Sequence, residues 1–595
     1  MNKSIIIRVN AGNRFGFGHL SRCISLFKIL NRDYDVQVVV LGVDEAKNIL
    51  ESQNIDYIFY KSDRDLIKLL NSKHVDLVIT DIRDTKSSFT QKIRKYSKLL
   101  SIDDLGDGSN YSNLTVNTLP IPTTSKVKAN FSGLKYLILN ENLFRYRDKG
   151  IKKGSNILVS FGGEDPYGLT EFTTTLISNL AHTFNVKIVL GPLYKGKETF
   201  DNVQIIKSPD NFYEILCDSD LVICSFGITV YECIYIGIPV VTINPTDYHN
   251  NLAAQVNGIY NLGIGNDTNK IKVSNDLENV INKVMMGDYN KKESDIDLDG
   301  VKRIANLVDH LVDQDDEYCI ICKHPSYVYN RDNFDNNYYC MNCHIYFRSS
   351  NYHYYEEYND NYFTEQYKKQ YGKTYLEDKA NINKLNKERL KIIKKIIPPE
   401  KQNTNVKLIE LGSAMGFFIE MARDDGYNVS GVEISNYACQ YAINKLNLKI
   451  TEGNFNDFRA LEGEYDILVA WYFIEHNPNI LSTLKKMKSL LKKGGLIALS
   501  TPNVHGISYL SNKNNYINNI PKDHYMEFSP RSLTILLEKL GFKVIKLHIT
   551  GLHFNRFANY INNRLLKYSW MEKPVLWIMA KLRLGDTFEI YARKN

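Results

Sequence analysis

The chain has 595 residues, too many for one ordinary domain, and its 43% hydrophobic content is enough for real cores. Its 74 basic and 67 acidic residues leave a net charge of +7, a small excess at this size that gives no warrant for nucleic-acid binding. The start, MNKSIIIRVN, lacks a small-residue cleavage site, and the longest apolar stretch, 221–243, is interrupted by Gly227, Glu232, Gly237 and Pro239. A cytoplasmic protein with no signal peptide and no membrane span is therefore expected.

In chain order, Ile5 to Val9 suits a buried parallel strand. A turn with Gly12, Gly16 and Gly18 follows, and His19-Leu-Ser-Arg22 opens an amphipathic helix carrying Leu20, Cys23, Ile24, Phe27 and Leu30. Glycines before a helix start let an anion approach exposed N–H groups, and His19 at the tip of the first strand is expected to face a cleft. Strands at 36–41, 77–81 and 99–103 alternate with helices, which implies a parallel sheet. The pattern restarts with a strand at 157–161 and the loop Gly162-Gly163-Glu164-Asp165-Pro166. A strand at 221–224, a turn through Gly227 and a helix from Thr229 to Ile236 follow. Two α/β halves with a cleft between them describe a GT-B-like architecture. The helix start near Gly227 is expected to hold a diphosphate, with Glu232 taking ribose hydroxyls.

Gly16-Phe17-Gly18-His19-Leu-Ser-Arg22-Cys23, Ile102-Asp103-Asp104, Ser160-Phe-Gly162-Gly163-Glu-Asp165-Pro166 and Gly227-Ile-Thr229-Val-Tyr-Glu232 together resemble one family. It is that of the UDP-sugar hydrolases of pseudaminic acid biosynthesis, related to spore-coat polysaccharide proteins and to MurG-type glycosyltransferases. The resemblance spans about residues 3–312. It implies that His19 activates water and that Gly18, Arg22, Gly162, Gly163, Gly227, Thr229 and Glu232 contact the UDP-sugar. The family's Asn-Gln pair near the second-half cleft stands here as Asn251-Leu252, which places Asn251 at the substrate. Phe17, and Asp81-Ile-Arg83-Asp84 without a following Tyr, depart from the family pattern.

An amphipathic stretch, Val301 to Leu311, reads as the closing helix of this first enzyme. Beyond it Cys319, Cys322, Cys340 and Cys343 form two C-x-x-C pairs, the spacing of a closed S4 shell for a structural zinc. The Tyr-dense run from Tyr352 to Tyr375 reads as a packing surface between modules.

Val406 to Glu410 is a strand ending in an acid, followed by Leu411-Gly412-Ser-Ala-Met-Gly416 and a helix from Phe417. A second strand ends at Glu433, which suits a carboxylate holding ribose hydroxyls of a dinucleotide-type cofactor. NAD and S-adenosylmethionine both fit that pattern. With Phe473-Ile-Glu475-His476 after a third strand and Gly494-Gly495 before the strand ending Thr501-Pro502-Asn503, the combination resembles class I methyltransferases. The resemblance implies S-adenosylmethionine, with Glu410, Gly412 and Gly416 at its methionine part, Glu433 at the ribose, and Asn454 and Phe455 at the adenine. Ala414 stands where a glycine is common. His476 and His524 are the candidate bases toward the acceptor.

The expected fold class is α/β multidomain: a GT-B-like double Rossmann-type module with halves at 1–145 and 146–312, a zinc-binding module at 317–350, a helical connector at 351–400, and a class I methyltransferase Rossmann-like domain at 401–595. The expected function is a UDP-sugar hydrolase fused to a sugar methyltransferase. Its partners are a UDP-sugar and a small sugar acceptor. A glycosyltransferase, or a non-catalytic sugar-binding scaffold, are the alternatives for the first half.

Overall fold

The computed structural model describes residues 3–12, 17–122, 128–146, 154–177, 183–289, 296–313, 318–331, 336–349, 361–397, 405–560 and 572–595. Gly16 and the first part of the Tyr-rich run, 352–360, lie outside them. The chain divides into two compact units, one of Met1–Asp316 with Asn330–Phe334, the other of Glu317–Tyr329 with Asp335–Asn595.

The first unit holds two parallel sheets. One is built from β1 (Ser4–Ala11), β2 (Asp35–Gly42), β3 (Tyr57–Phe59), β4 (Leu77–Asp81), β5 (Lys98–Ile102), β6 (Leu114–Asn117) and β7 (Phe131–Ser132), in the order β3-β2-β1-β4-β5-β6-β7. The other uses β8 (Asn156–Ser160), β9 (Asn185–Leu190), β10 (Gln204–Lys207), β11 (Leu221–Cys224), β12 (Val240–Asn244) and β13 (Tyr260–Ile264), in the order β10-β9-β8-β11-β12-β13. Helices cover both faces of a parallel sheet, so its central strands need apolar side chains on both sides. Every residue of β1, β4 and β12 is accordingly buried.

The amphipathic closing helix forms as Gly300–Asp313. Its apolar stripe, Val301, Ile304, Val308 and Leu311, packs into the core of the first sheet with Ile5, Leu26 and Leu30. The expected boundary at 145 therefore does not separate the halves cleanly: the last helix after the second sheet returns to the first.

In the second unit β14 (Tyr327–Asn330), β15 (Asn337–Cys340) and β16 (Ile345–Arg348) form a small sheet beside the cysteines. The large sheet is built from β17 (Lys407–Leu411), β18 (Asn428–Glu433), β19 (Ile450–Glu452), β20 (Tyr465–Trp471) and β21 (Leu491–Pro502), then, after the two-residue β22 (Met526–Glu527), β23 (Phe542–Thr550) and β24 (Thr587–Lys594). Its order is β19-β18-β17-β20-β21-β24-β23, and β24 runs antiparallel to both neighbours.

Two expected boundaries change here. The cysteine module is not a free-standing divider: β16 pairs antiparallel with β22, matching Tyr346 with Glu527 and Phe347 with Met526. Cys319, Cys340, Cys343, Ile345 and Phe347 share one buried core with Leu468, Leu499 and Phe528. About thirty residues cannot bury enough surface alone, and this core supplies what they lack. The connector likewise belongs to the large sheet, since its helix Lys379–Ile396 buries Leu390 and Ile393 against Leu408 and Phe418. No helix among the described residues is long and apolar enough to cross a membrane.

Candidate functional site

In an open parallel sheet, a crevice forms where successive strands depart to opposite sides of a central one. Among the described residues three such points occur, at β1/β4, β8/β11 and β17/β20. The first two share one cleft within the first unit; the third is in the second unit.

At β1/β4, the helix Gly18–Leu30 starts without a side-chain cap, so its first N–H groups remain available. His19 is about a quarter exposed, and its Nδ1 lies 2.7 Å from Asp81 Oδ1 at the end of β4. Arg22 Nη2 also lies 3.0 Å from this Nδ1; the tautomer that carries its proton on Nδ1 bonds the ionised Asp81, and in that tautomer Nε2 is the basic nitrogen. Burial alone would raise Asp81, but Arg22 and His19 outweigh it and hold the carboxyl below its ordinary value.

Arg22, expected at the substrate, lines a pocket with Gly18, His19 and Gly227, and its guanidinium is also held from within. Its Nη2 donates to Asp81 Oδ1 at 2.6 Å and its Nη1 to Thr118 Oγ1 at 3.0 Å as well as to Asp103. Burial opposes its charge, yet Asp81 and Asp103 keep the guanidinium above its ordinary value. Arg22 thus positions the Asp81 that orients His19.

Across the cleft, Gly162 and Gly163 follow β8. A Cβ on Gly163 would come within 2.7 Å of the Phe17 ring, so only glycine lets the two halves approach there. Asp165 accepts from the backbone N–H groups of Leu169 and Thr170 at 2.9 and 2.7 Å, which makes it the start of a helix rather than a ligand. Gly227 precedes the helix Ile228–Ile236 with open space where a side chain would stand. Glu232, one turn in, is buried, accepts from Tyr213 Oη at 3.0 Å, and has its carboxyl pushed up to about 7 by burial.

Gly18, His19, Gly162, Gly163, Gly227, Thr229 and Glu232 line one cleft of about 1190 Å³, room enough for a nucleotide-sugar. Asn251 does not line it: its side chain is exposed on the helix Asp247–Ala253, and His249 of the same helix lines the cleft instead, while Leu252 lines a smaller pocket that shares Gly18, His19 and Gly227 with it. Sequence reasoning missed Tyr248, His249 and Arg83, whose guanidinium lies 3.6 Å from the Tyr248 ring centre. Their sequence signals are ordinary, and only folding brings them together.

Glu232 carries a pH signature. Its folded value is raised from 4.5 to about 7, so the folded chain holds a proton that the unfolded chain has released between those values. Stability is therefore lost as pH rises through that window. Glu232→Gln should stabilise the first unit by an amount on the order of 3 kcal/mol at pH 8 and by nothing at pH 4.5. Calorimetric melting at both pH values checks this; an equal shift at both would contradict it.

At β17/β20 the glycine turn has the backbone such a turn requires. Gly412 has φ +65° and a Cβ there would lie 2.8 Å from the Phe473 ring. Ala414 takes φ +46°, a left-handed conformation that explains why glycine is the common choice at this position. Glu433 is buried and accepts from the N–H groups of Ala414 and Ser435 at 2.7 and 2.9 Å, which leaves a further lone pair on each oxygen. Burial, against those donors, raises its carboxyl. Burial pushes Glu410 well up too, against the pull of Arg389 and with Glu433 adding to it. Glu410 Oε2 and Ser413 Oγ are buried without a hydrogen-bond partner. Such orphaned groups beside a glycine turn fit the amine and hydroxyls of S-adenosylmethionine.

Phe455 and Asn454 sit less simply. Phe455 is buried in the core, edge-on to Phe473 at 6.1 Å, and Asn454 is exposed with its Oδ1 accepting from Asn456 N at 2.8 Å. The described end of the Tyr-rich run, read as an inter-module surface, packs here instead. Tyr375 stacks on Phe417 at 5.5 Å, and Phe363 lies edge-on to Tyr375. Burial and the carboxylates of Glu410 and Glu433 raise the Tyr375 hydroxyl. Glu433→Ala should weaken S-adenosylmethionine binding by about 1.5–3 kcal/mol, measured by calorimetry.

The cysteines form two matching knuckles. Lys323 N donates to Cys319 O at 2.9 Å and His344 N to Cys340 O at 2.8 Å, with both donors left-handed, at φ +58° and +59°. The four sulfurs lie within 4.8 Å of one another. Cys322 and Cys340 are 3.5 Å apart, too far for an S–S bond, and none of the four is in a disulfide.

Residues 380–547 match the model of a family described as a methyltransferase domain, and residues 124–318 match one described as a protein of unknown function (DUF354). An uncharacterized protein of Methanocaldococcus jannaschii is 28% identical over 270 residues, covering 40% of this chain and 55% of that protein. The ubiquinone biosynthesis O-methyltransferase of Nitrosomonas europaea is 30% identical over 138 residues, covering 22% of this chain and 56% of the enzyme. The chain thus spans about half the length of each of these two relatives. Among solved structures, Acinetobacter baumannii MurG matches with TM-score 0.36 and 16% identity over 52% of this chain and 99% of its own. A SAM-dependent methyltransferase from Archaeoglobus fulgidus matches with TM-score 0.28 and 17% identity over 40% and 100%. The chain joins two parallel α/β halves that share a cleft to an α/β unit in which residues 380–547 match a methyltransferase domain.

Proposed function

We propose that the first unit hydrolyses a UDP-sugar and that the second methylates that sugar or a product derived from it. The observation that carries the first half is the His19–Asp81 pair facing, across one cleft, the glycine-led helix start at Gly227. Gly227 and the N–H groups behind it receive the diphosphate, and Glu232 the ribose hydroxyls. His19 Nε2 takes a proton from water as the water oxygen attacks, and the bond to UDP breaks with its electron pair leaving on the UDP oxygen. Asp81 holds the imidazole in the required tautomer and stabilises its charged form.

In the second unit, S-adenosylmethionine when bound supplies a methyl group on a sulfonium. Glu433 takes its ribose hydroxyls, Glu410 and Ser413 its methionine end, and Gly412 allows the backbone to approach closely. Methyl transfer depends chiefly on position. His476 and His524 lie together after β20 and before β22, with ring centres 4.7 Å apart, and serve the acceptor side. The four cysteines hold a structural zinc, for which their donor set and paired knuckles fit. That zinc secures β16, and through it β22.

The experiment is mass spectrometry of products from a panel of UDP-sugars, with and without S-adenosylmethionine. Free sugar plus UDP, and a 14 Da heavier product only with the cofactor (one CH₂ added, roughly, in mass), is expected. Transfer of the sugar to an added acceptor, with no release to water, would replace hydrolysis by glycosyl transfer.

A further inference from the structure

Beyond the cysteine cluster, a second group of side chains in this chain has the make-up of a metal centre. Glu475, His476 and His524 each offer a ligand atom, and these atoms lie within 4.8 Å of one another. Glu475 is fully buried and both its carboxylate oxygens lack a hydrogen-bond partner. A buried, unpaired carboxylate is costly unless a cation or donor completes it. Neither neighbouring histidine gives it a hydrogen bond, although both stand beside it.

The histidines are held as metal-binding imidazoles are. His524 Nδ1 lies 2.6 Å from Glu527 Oε1, and Glu527 Oε2 in turn accepts from Tyr516 Oη at 2.9 Å. His476 Nδ1 lies 2.9 Å from Asp523 Oδ2. A carboxylate on one ring nitrogen fixes the ring and makes the other nitrogen a better ligand. The two rings meet nearly perpendicular, at 88°.

We propose that Glu475, His476 Nε2 and His524 Nε2 bind a divalent transition-metal cation, zinc or one of similar preference, as a second metal centre distinct from the four cysteines. Three protein ligands of this His₂Glu type leave coordination positions open, which is the arrangement of a reactive site and not of a structural one. The site lies at the β17/β20 switch point, reached directly from Phe473, whose ring covers Gly412. Resting on the methyl-transfer reading, the open positions would take hydroxyl oxygens of the acceptor. The metal centre itself stands on the three side chains alone. Glu527 is a positioning residue, and its strand β22 is paired to the cysteine module at Tyr346.

The test is cobalt(II) titration of the full-length, metal-stripped chain, followed by optical spectroscopy and metal analysis. Two equivalents are expected: one with intense thiolate-to-metal bands, one without them. His524→Ala and the near-isosteric Glu475→Gln should each lose the second equivalent and keep the first, which also reports that the unit is folded. Glu527→Gln should weaken the second equivalent about 10–100-fold. Cys340→Ser should remove the thiolate bands. A wild-type chain that binds only the thiolate equivalent, or variants that still bind two, would overturn the proposal. A wild-type chain that binds two equivalents but transfers no methyl group would count against the methyl-transfer reading and not against the metal.

Discussion

His19→Ala is expected to lower UDP-sugar turnover by about two to four orders of magnitude while UDP itself still binds. The size follows from what the residue does: among the described residues, no other imidazole meets the cleft with a carboxylate behind it at 2.7 Å. His249 also lines the cleft, but burial and the charge of Arg83 lower it, and its Nδ1 rests against Thr246 Oγ1 at 2.8 Å. Asp81→Asn separates positioning from charge. The amide keeps the shape, loses the negative charge that favours the imidazolium, and should cost a large part of the same loss. UDP binding, by calorimetry, should change by less than a few-fold in either variant, because the site proposed for the diphosphate, at Gly227, is on the opposite half. A His19→Ala enzyme with near-normal UDP release would remove the residue from the chemistry.

Cys340→Ser should release the thiolate-bound zinc and damage far more than the small sheet. Cys340 ends β15, and its neighbour β16 pairs with β22. Arg348 at the end of β16 donates from Nε to the carbonyl of His524 at 2.8 Å. A metal held by the four cysteines would therefore support the segment that carries His524 and Glu527. Structural zinc contributes folding free energy outright, on the order of 10 kcal/mol in isolated fingers, although a shared core retains part of the structure without it. Loss of about 4 kcal/mol would lower the melting temperature of the second unit by roughly 10 °C, at about 2–4 °C per kcal/mol. Methyl transfer should fall with it, while UDP-sugar turnover should not. Unchanged melting in zinc-free protein would sink the structural assignment.

What the sequence made legible was local. Glycine turns after apolar strands announce a parallel sheet and its crevice, and Gly412, Gly416 and Glu433 lie within one β-α-β unit. The C-x-x-C spacing is equally local. What remained hidden depends on contacts between distant residues. Asp81 is 62 positions from His19, and nothing in the spacing marks it as the partner. The resemblance places Arg22 at the substrate; that Asp81, Asp103 and Thr118 also hold its buried guanidinium, while it still lines the pocket, is not written in its spacing. Tyr375 sits in a run whose composition suggests a surface, yet the apolar start of the helix at Phe417 gives that run a face to cover. Two residues, Met526 and Glu527, are too short a strand to be read from periodicity, and they are what ties the cysteine module to the large sheet.

Cofactor choice tests the central claim most directly, because the glycine turn and Glu433 suit two cofactors and only one of them supports methyl transfer. Calorimetric titration of the full-length chain with S-adenosylmethionine and, separately, with NAD distinguishes them. Saturable binding of S-adenosylmethionine, weakened by Glu433→Ala, with no heat from NAD, is the predicted result. Tight binding of NAD with no response to S-adenosylmethionine would contradict it and make the second unit a dehydrogenase-like module.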